Sequence, residues 1–149
     1  MAAPVVALVG LRAFQRDVLK LTADRGPLVA LFRRAGLAAA EPVADAARAA
    51  LPQQSGRLAG DVRASGSRTG GTVRMGRASV RYAGWVEFGG RRRVPHESAR
   101  DYTPQGRYLF PNARQLAPRA ETLYTQALND GLASFPWTNQ TADGGAVHD

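Results

Sequence analysis

Tyr82-Ala83-Gly84-Trp85-Val86-Glu87-Phe88-Gly89-Gly90 sets three aromatic side chains around a single acid, and two periods fit it. With Val80, the residues Tyr82, Gly84, Val86 and Phe88 share one face of a strand, whereas Tyr82, Trp85 and Val86 share one face of a helix. Gly89-Gly90 ends the element in either case. One thin sheet face cannot bury Tyr82, Trp85, Val86 and Phe88 together, so they divide between the core and contact with a neighbouring subunit, or all serve as ordinary core. Glu87 is the odd member. A lone carboxylate in an apolar run points outward or meets an arginine, and Arg57, Arg74 and the group Arg91, Arg92, Arg93 are its candidate partners.

Upstream of this stretch the pattern alternates. Leu58, Gly60, Val62 and Ala64 occupy one strand face, Ser65-Gly-Ser-Arg-Thr-Gly-Gly71 reads as a glycine-rich turn, and residues 72–77 alternate again, which predicts a β-hairpin. Residues 28–51 carry an Ala-rich apolar stripe at helical spacing that includes Leu28, Leu31, Phe32, Ala35, Ala39, Val43, Ala46, Ala47 and Ala50. Pro42 inside it predicts either a kink or two shorter helices, and Leu51-Pro52 closes it. Residues 5–21 place Val5, Leu8, Val9, Leu11, Phe14, Val18, Leu19 and Leu21 near a 3.6-residue period and predict a first amphipathic helix, with Asp24-Arg-Gly-Pro27 as the junction.

Downstream, residues 91–106 hold almost no apolar side chain and two prolines, and read as a long exposed loop. Pro111 then opens a last amphipathic helix to about Leu132, striped by Ala113, Leu116, Ala117, Ala120, Leu123, Tyr124, Ala127 and Leu128. Residues 138–149 are polar and read as a disordered tail. The division is a single domain over residues 1–135 and a polar tail over residues 136–149, a size that one core can support.

The 149 residues contain no cysteine, which excludes a disulfide framework, a thiolate nucleophile and the usual zinc sites. No segment approaches the ~20 apolar residues of a membrane span, so no membrane partner is expected. The net charge of +8 comes from arginine, Lys20 being the one lysine among 20 basic residues. Such a surplus favours polyanions or acidic protein surfaces, although near-exclusive use of arginine is also what a GC-rich genome writes at solvated positions.

Little here carries catalysis. His96, Glu97 and Asp101 are the one place where a histidine sits among carboxylates, but three or four converging ligands are lacking, and a solvated loop histidine explains them. The turn before Thr72-Val73 lacks the lysine and hydroxyl of a nucleotide-phosphate loop. No catalytic residue, cofactor or metal is expected. The basic loop is the stronger candidate for binding: Arg91, Arg92, Arg93, Arg100 and Arg107, interleaved with His96, Tyr102 and Tyr108, suit phosphates and bases, and Arg100, Tyr102 and Arg107 suit an acidic partner as well, while Arg91, Arg92 and Arg93 equally suit bidentate contact with carboxylates of a neighbouring subunit or plain hydration.

The order of these features resembles one known family. A helix ending in Ala-Arg-Ala-Ala-Leu-Pro52, then Ser55-Gly56-Arg57-Leu58, a hairpin, Tyr82-Ala83 with Val86-Glu87-Phe88-Gly89, and Arg107-Tyr108-Leu109-Phe110-Pro111-Asn112-Ala113 are similar to the gene-product-ten-like neck proteins of lambda-like siphophages. The likeness covers roughly residues 28–132. It implies a small α+β subunit: two N-terminal helices, a small mainly antiparallel β-sheet with a long basic loop, and a C-terminal helix packed on the sheet. It also implies a structural virion protein assembled in the bacterial cytoplasm as a ring of copies of itself, six in the usual case. The ring would meet an adjacent connector or stopper ring on one side and a tail terminator or tail-tube protein on the other. Its lumen would let DNA pass. Tyr82, Trp85, Glu87, Phe88, Arg91, Arg92 and Arg93 are then the expected interface residues, and a DNA-binding module built on the 91–107 loop is the competing expectation.

Overall fold

A computed structural model describes residues 5–9, 26–53, 56–77, 80–92 and 98–135. The architecture is α+β. A long helix α1 (Gly26–Ala50) lies between an antiparallel sheet and a second long helix, α4 (Leu109–Ala133). The sheet has the order β1-β3-β2, from β1 (Val5–Val9), β2 (Val62–Ser67) and β3 (Gly70–Met75). Single helical turns α2 (Arg57–Gly60) and α3 (Ala83–Phe88), and a two-stranded ribbon of β4 (Gly90–Arg92) and β5 (Ser98–Arg100), complete it.

α1 forms where the Ala-rich stripe predicted it, and it continues through Pro42 as one helix. Its two halves serve different cores. Leu28, Leu31, Phe32, Ala35 and Ala39 pack with Ala120, Tyr124 and Leu128 of α4. Ala40, Val43, Ala44 and Ala47 pack instead on Leu58, Val62, Val73, Met75, Val86, Leu109 and Ala113. The start of α1 therefore meets the end of α4, an antiparallel pair, and α4 also reaches the sheet at β1. Each large apolar side chain so buried contributes about 1.5–3 kcal/mol.

The hairpin is tighter than the sequence suggested. Its strands run to Ser67 and from Gly70, leaving Arg68 and Thr69 as the turn, so most of the glycine-rich segment read as a loop is sheet. The reason is the helix above it. Val62, Ala64 and Gly66 face α1 across from Met75, Val73 and Gly71, a taper from large to small that brings the turn end of the hairpin against the helix backbone. A methyl group on Gly66 would lie 1.8 Å from the Arg33 carbonyl oxygen, and one on Gly71 would lie 2.2 Å from that of Gly36. Glycine in these strands marks a close backbone approach.

Other expectations need correction. Residues 5–9 form a strand paired with β3 from Val5↔Arg74 to Val9↔Gly70, not the start of a helix. Val-Val-Ala-Leu-Val is a continuous run in which β-branched residues predominate, and these favour the extended chain. The remainder of that expected helix, residues 10–21, lies outside the described residues, as does the expected tail from residue 136. The alternation expected to begin a strand at Leu58 instead opens with a helical turn over Arg57–Gly60, and the strand begins after Asp61. The ambiguous stretch is helical over Ala83–Phe88. The first part of the long basic loop carries a ribbon, in which Gly90 to Arg92 pair with Arg100 to Ser98.

Candidate functional site

α3 is six residues long, and its purpose in the fold is to aim one side chain. Glu87 is completely buried. Its Oε1 accepts the backbone N–H of Arg107 at 3.2 Å and of Phe110 at 3.0 Å. Its Oε2 accepts those of Tyr108 at 3.1 Å and Leu109 at 3.0 Å. These are the unpaired donors that open α4, and Pro111, next in the chain, has none to offer. One carboxylate thus saturates the start of a 25-residue helix, where the aligned peptide dipoles also favour negative charge.

Among the described residues Glu87 therefore pairs with none of the arginines expected for it; backbone amides take that role. All its acceptor capacity turns inward, so it contributes structure and not surface.

Gly106 makes room for this arrangement. It has a positive φ of 78°, and a Cβ there would lie 2.3 Å from Glu87 Oε1. α4 has no side-chain cap of its own, since Tyr108 occupies the N-cap position. That absence was the readable signal: a strong helix opening on Gly-Arg-Tyr-Leu-Phe-Pro lacks the Ser, Thr, Asp or Asn that normally bonds its first turn, and so requires an acceptor from elsewhere.

Around Glu87 the other predicted residues fall into three groups. Tyr82, Trp85, Tyr108 and Phe110 pack half-buried against the core, and the Phe88 and Phe110 rings meet at 5.4 Å. Trp85 Nε1 donates to the Gly90 carbonyl at 3.0 Å, tying β4 to α3. Arg100 and Arg107 turn back onto the molecule. The Arg100 guanidinium lies 5.7 Å from the Trp85 ring centre and 6.0 Å from that of Tyr108, and donates to Val86 O at 3.2 Å and Tyr108 Oη at 3.1 Å. It sits at the C-terminal carbonyls of α3, the end of a helix that favours a cation. Arg107 donates to the Asp101 carbonyl, and its Nη1 is buried. Arg91 and Tyr102 are the surface members, Tyr102 being 68 % exposed. Arg92 lies in β4, while Arg93, His96 and Glu97 lie outside the described residues.

A second buried acid, Asp61, went unnoticed in the sequence. It is 1 % exposed and paired with Arg77, with Arg63 Nε 3.9 Å away. Arg48 had no mark in the sequence either: its Nε and Nη2 donate to the Val62 carbonyl at 3.2 and 2.8 Å, at the edge of β2 that pairs with no described strand. Among the described residues no three His, Cys, Asp or Glu side chains converge to hold a metal, and no helix is long and apolar enough to cross a membrane. No family model, curated protein or solved structure matches the chain.

Proposed function

We propose that the chain is a structural subunit of the neck of a long-tailed bacteriophage, building a ring between the DNA-filled head and the tail, and that it has no catalytic role. The observation that supports this reading is the Glu87 cap. Val86-Glu87-Phe88-Gly89 and Arg107-Tyr108-Leu109-Phe110-Pro111, two of the short motifs that resemble the neck family, are joined by one carboxylate. Motifs that are weak singly gain weight when they form one physical unit, since agreement across levels is evidence.

In this reading Trp85, Phe88 and Arg91 lie at the rim of the capped unit and face a neighbouring copy, with the β4–β5 ribbon reaching toward it. Arginine and tryptophan are enriched at such contacts. The subunit would be a virion component put together in the host cytoplasm.

Purified particles test the reading. The chain is expected in them at the head-to-tail junction, as a closed ring in an image reconstruction, and Arg91→Glu is expected to leave filled heads and finished tails unjoined. Particles that lack the chain, or that assemble and infect normally without it, would sink the proposal.

A further inference from the structure

Of the nucleic-acid contacts expected on the basic loop, Arg100 and Arg107 donate to carbonyls of the chain itself. A second positive surface stands on the sheet. On the side of the sheet away from α1, β2 presents Arg63, Ser65 and Ser67, all exposed, and β3 presents Thr72 and exposed Arg74. Register places Arg63 directly opposite Arg74 and Ser65 directly opposite Thr72. Two cations face each other across the ladder with two hydroxyls beside them, about 7 Å farther along the strands.

Like charges opposite each other in an antiparallel pair oppose folding, and these strands offer no carboxylate on that face to relieve them. Among the described residues the acid beside Arg63 is Asp61, which is buried and shared between Arg77 and Arg63. Arg63 spends one further donor on the Gly76 carbonyl at 3.2 Å. The Arg74 side chain makes no hydrogen bond or ion pair among the described residues, and the turn beyond adds exposed Arg68.

We propose that this face, centred on Arg63, Arg74, Ser65 and Thr72, binds the phosphate backbone of duplex DNA. Charge complementarity requires an anion, and the donor chemistry selects among anions. Arginine forks and neutral hydroxyls are the groups that contact phosphate oxygens, and a sugar-phosphate backbone presents acceptors almost exclusively. An acidic peptide also brings its own N–H donors, for which this face has few acceptors. Unpaired bases need aromatic platforms on which to stack, and none stands on β2 or β3. The duplex backbone is what remains, read without regard to sequence. The inference does not rest on the neck reading: a sheet that binds duplex would do so whether or not the chain belongs to a particle.

Fluorescence anisotropy of the full chain with a labelled random-sequence duplex tests it. Arg63→Gln with Arg74→Gln is expected to weaken binding at low salt about tenfold and to lower the salt slope by about two, one for each phosphate that is no longer neutralised. Arg34→Gln with Arg119→Gln removes the same charge from exposed positions on α1 and α4 and is expected to change affinity less than about twofold. Should the first pair disturb folding by circular dichroism, Arg74→Gln with Ser65→Ala replaces it, and a drop in affinity of at least about fivefold is expected. The proposal is overturned by any of three results: no duplex binding at low salt, equal weakening in the sheet and helix variants, or tighter binding of polyglutamate or of a single strand than of the duplex.

Discussion

At Glu87 four backbone donors converge on two oxygens in a site closed to solvent, so removal of that side chain strands all of them at once. A buried donor left without an acceptor costs about 1–3 kcal/mol. Glu87→Ala is accordingly expected to lower the stability of the chain by about 3 kcal/mol or more, measured by urea denaturation. Glu87→Gln should fall between it and the native chain, because one of its atoms becomes a donor pointed at donors. Gly106→Ala tests the same site from the other side: its positive φ and its closeness to Oε1 predict a destabilisation of about 2 kcal/mol. An alanine variant as stable as the native chain would show that the cap is not needed. The sequence marked Glu87 as anomalous, yet the partner was invisible. Arginine side chains can be read as candidate partners, whereas backbone amides belong to every residue and carry no letter.

Elements differ in how openly they were written. α1 and α4 follow their apolar stripes closely because a 3.6-residue period sustained over many turns has few other readings. The single turns and β1 did not follow, since five apolar residues fit a strand or the start of a helix equally well, and only pairing with β3 decides. The glycines misled for a related reason. Gly66 and Gly71 look like turn residues, but their missing side chains admit the α1 backbone. Gly66→Ala is therefore expected to cost about 3 kcal/mol, the range for overfilling a packed contact, with the thermal midpoint falling to match. Gly60→Ala provides the contrast. Nothing lies within 4 Å of a Cβ there, and its φ is not positive, so that change is expected to raise stability by about 0.5 kcal/mol through the unfolded chain. If both substitutions behave alike, close approach is not what distinguishes them.

Across the whole molecule α1 is the shared member, its first half packed on α4 and its second half on the sheet and α3. Damage to either core should be felt by both. Phe32 is fully buried in the core with α4, and Phe32→Ala is expected to cost about 3–5 kcal/mol while far- and near-ultraviolet dichroism still lose signal in a single coincident transition. Separate transitions would mean that the two cores fold independently. The cap has a consequence at this scale as well. Since Glu87 grips residues 107–110 directly, the chain between them leaves and returns at fixed points, like a loop of thread held by a knot. The entropic cost of lengthening such a loop grows only logarithmically, about 0.6 kcal/mol for each doubling. A tag inserted between Arg92 and Ser98 is thus expected to leave the stability of both cores within about 1 kcal/mol of the native chain, which urea denaturation checks.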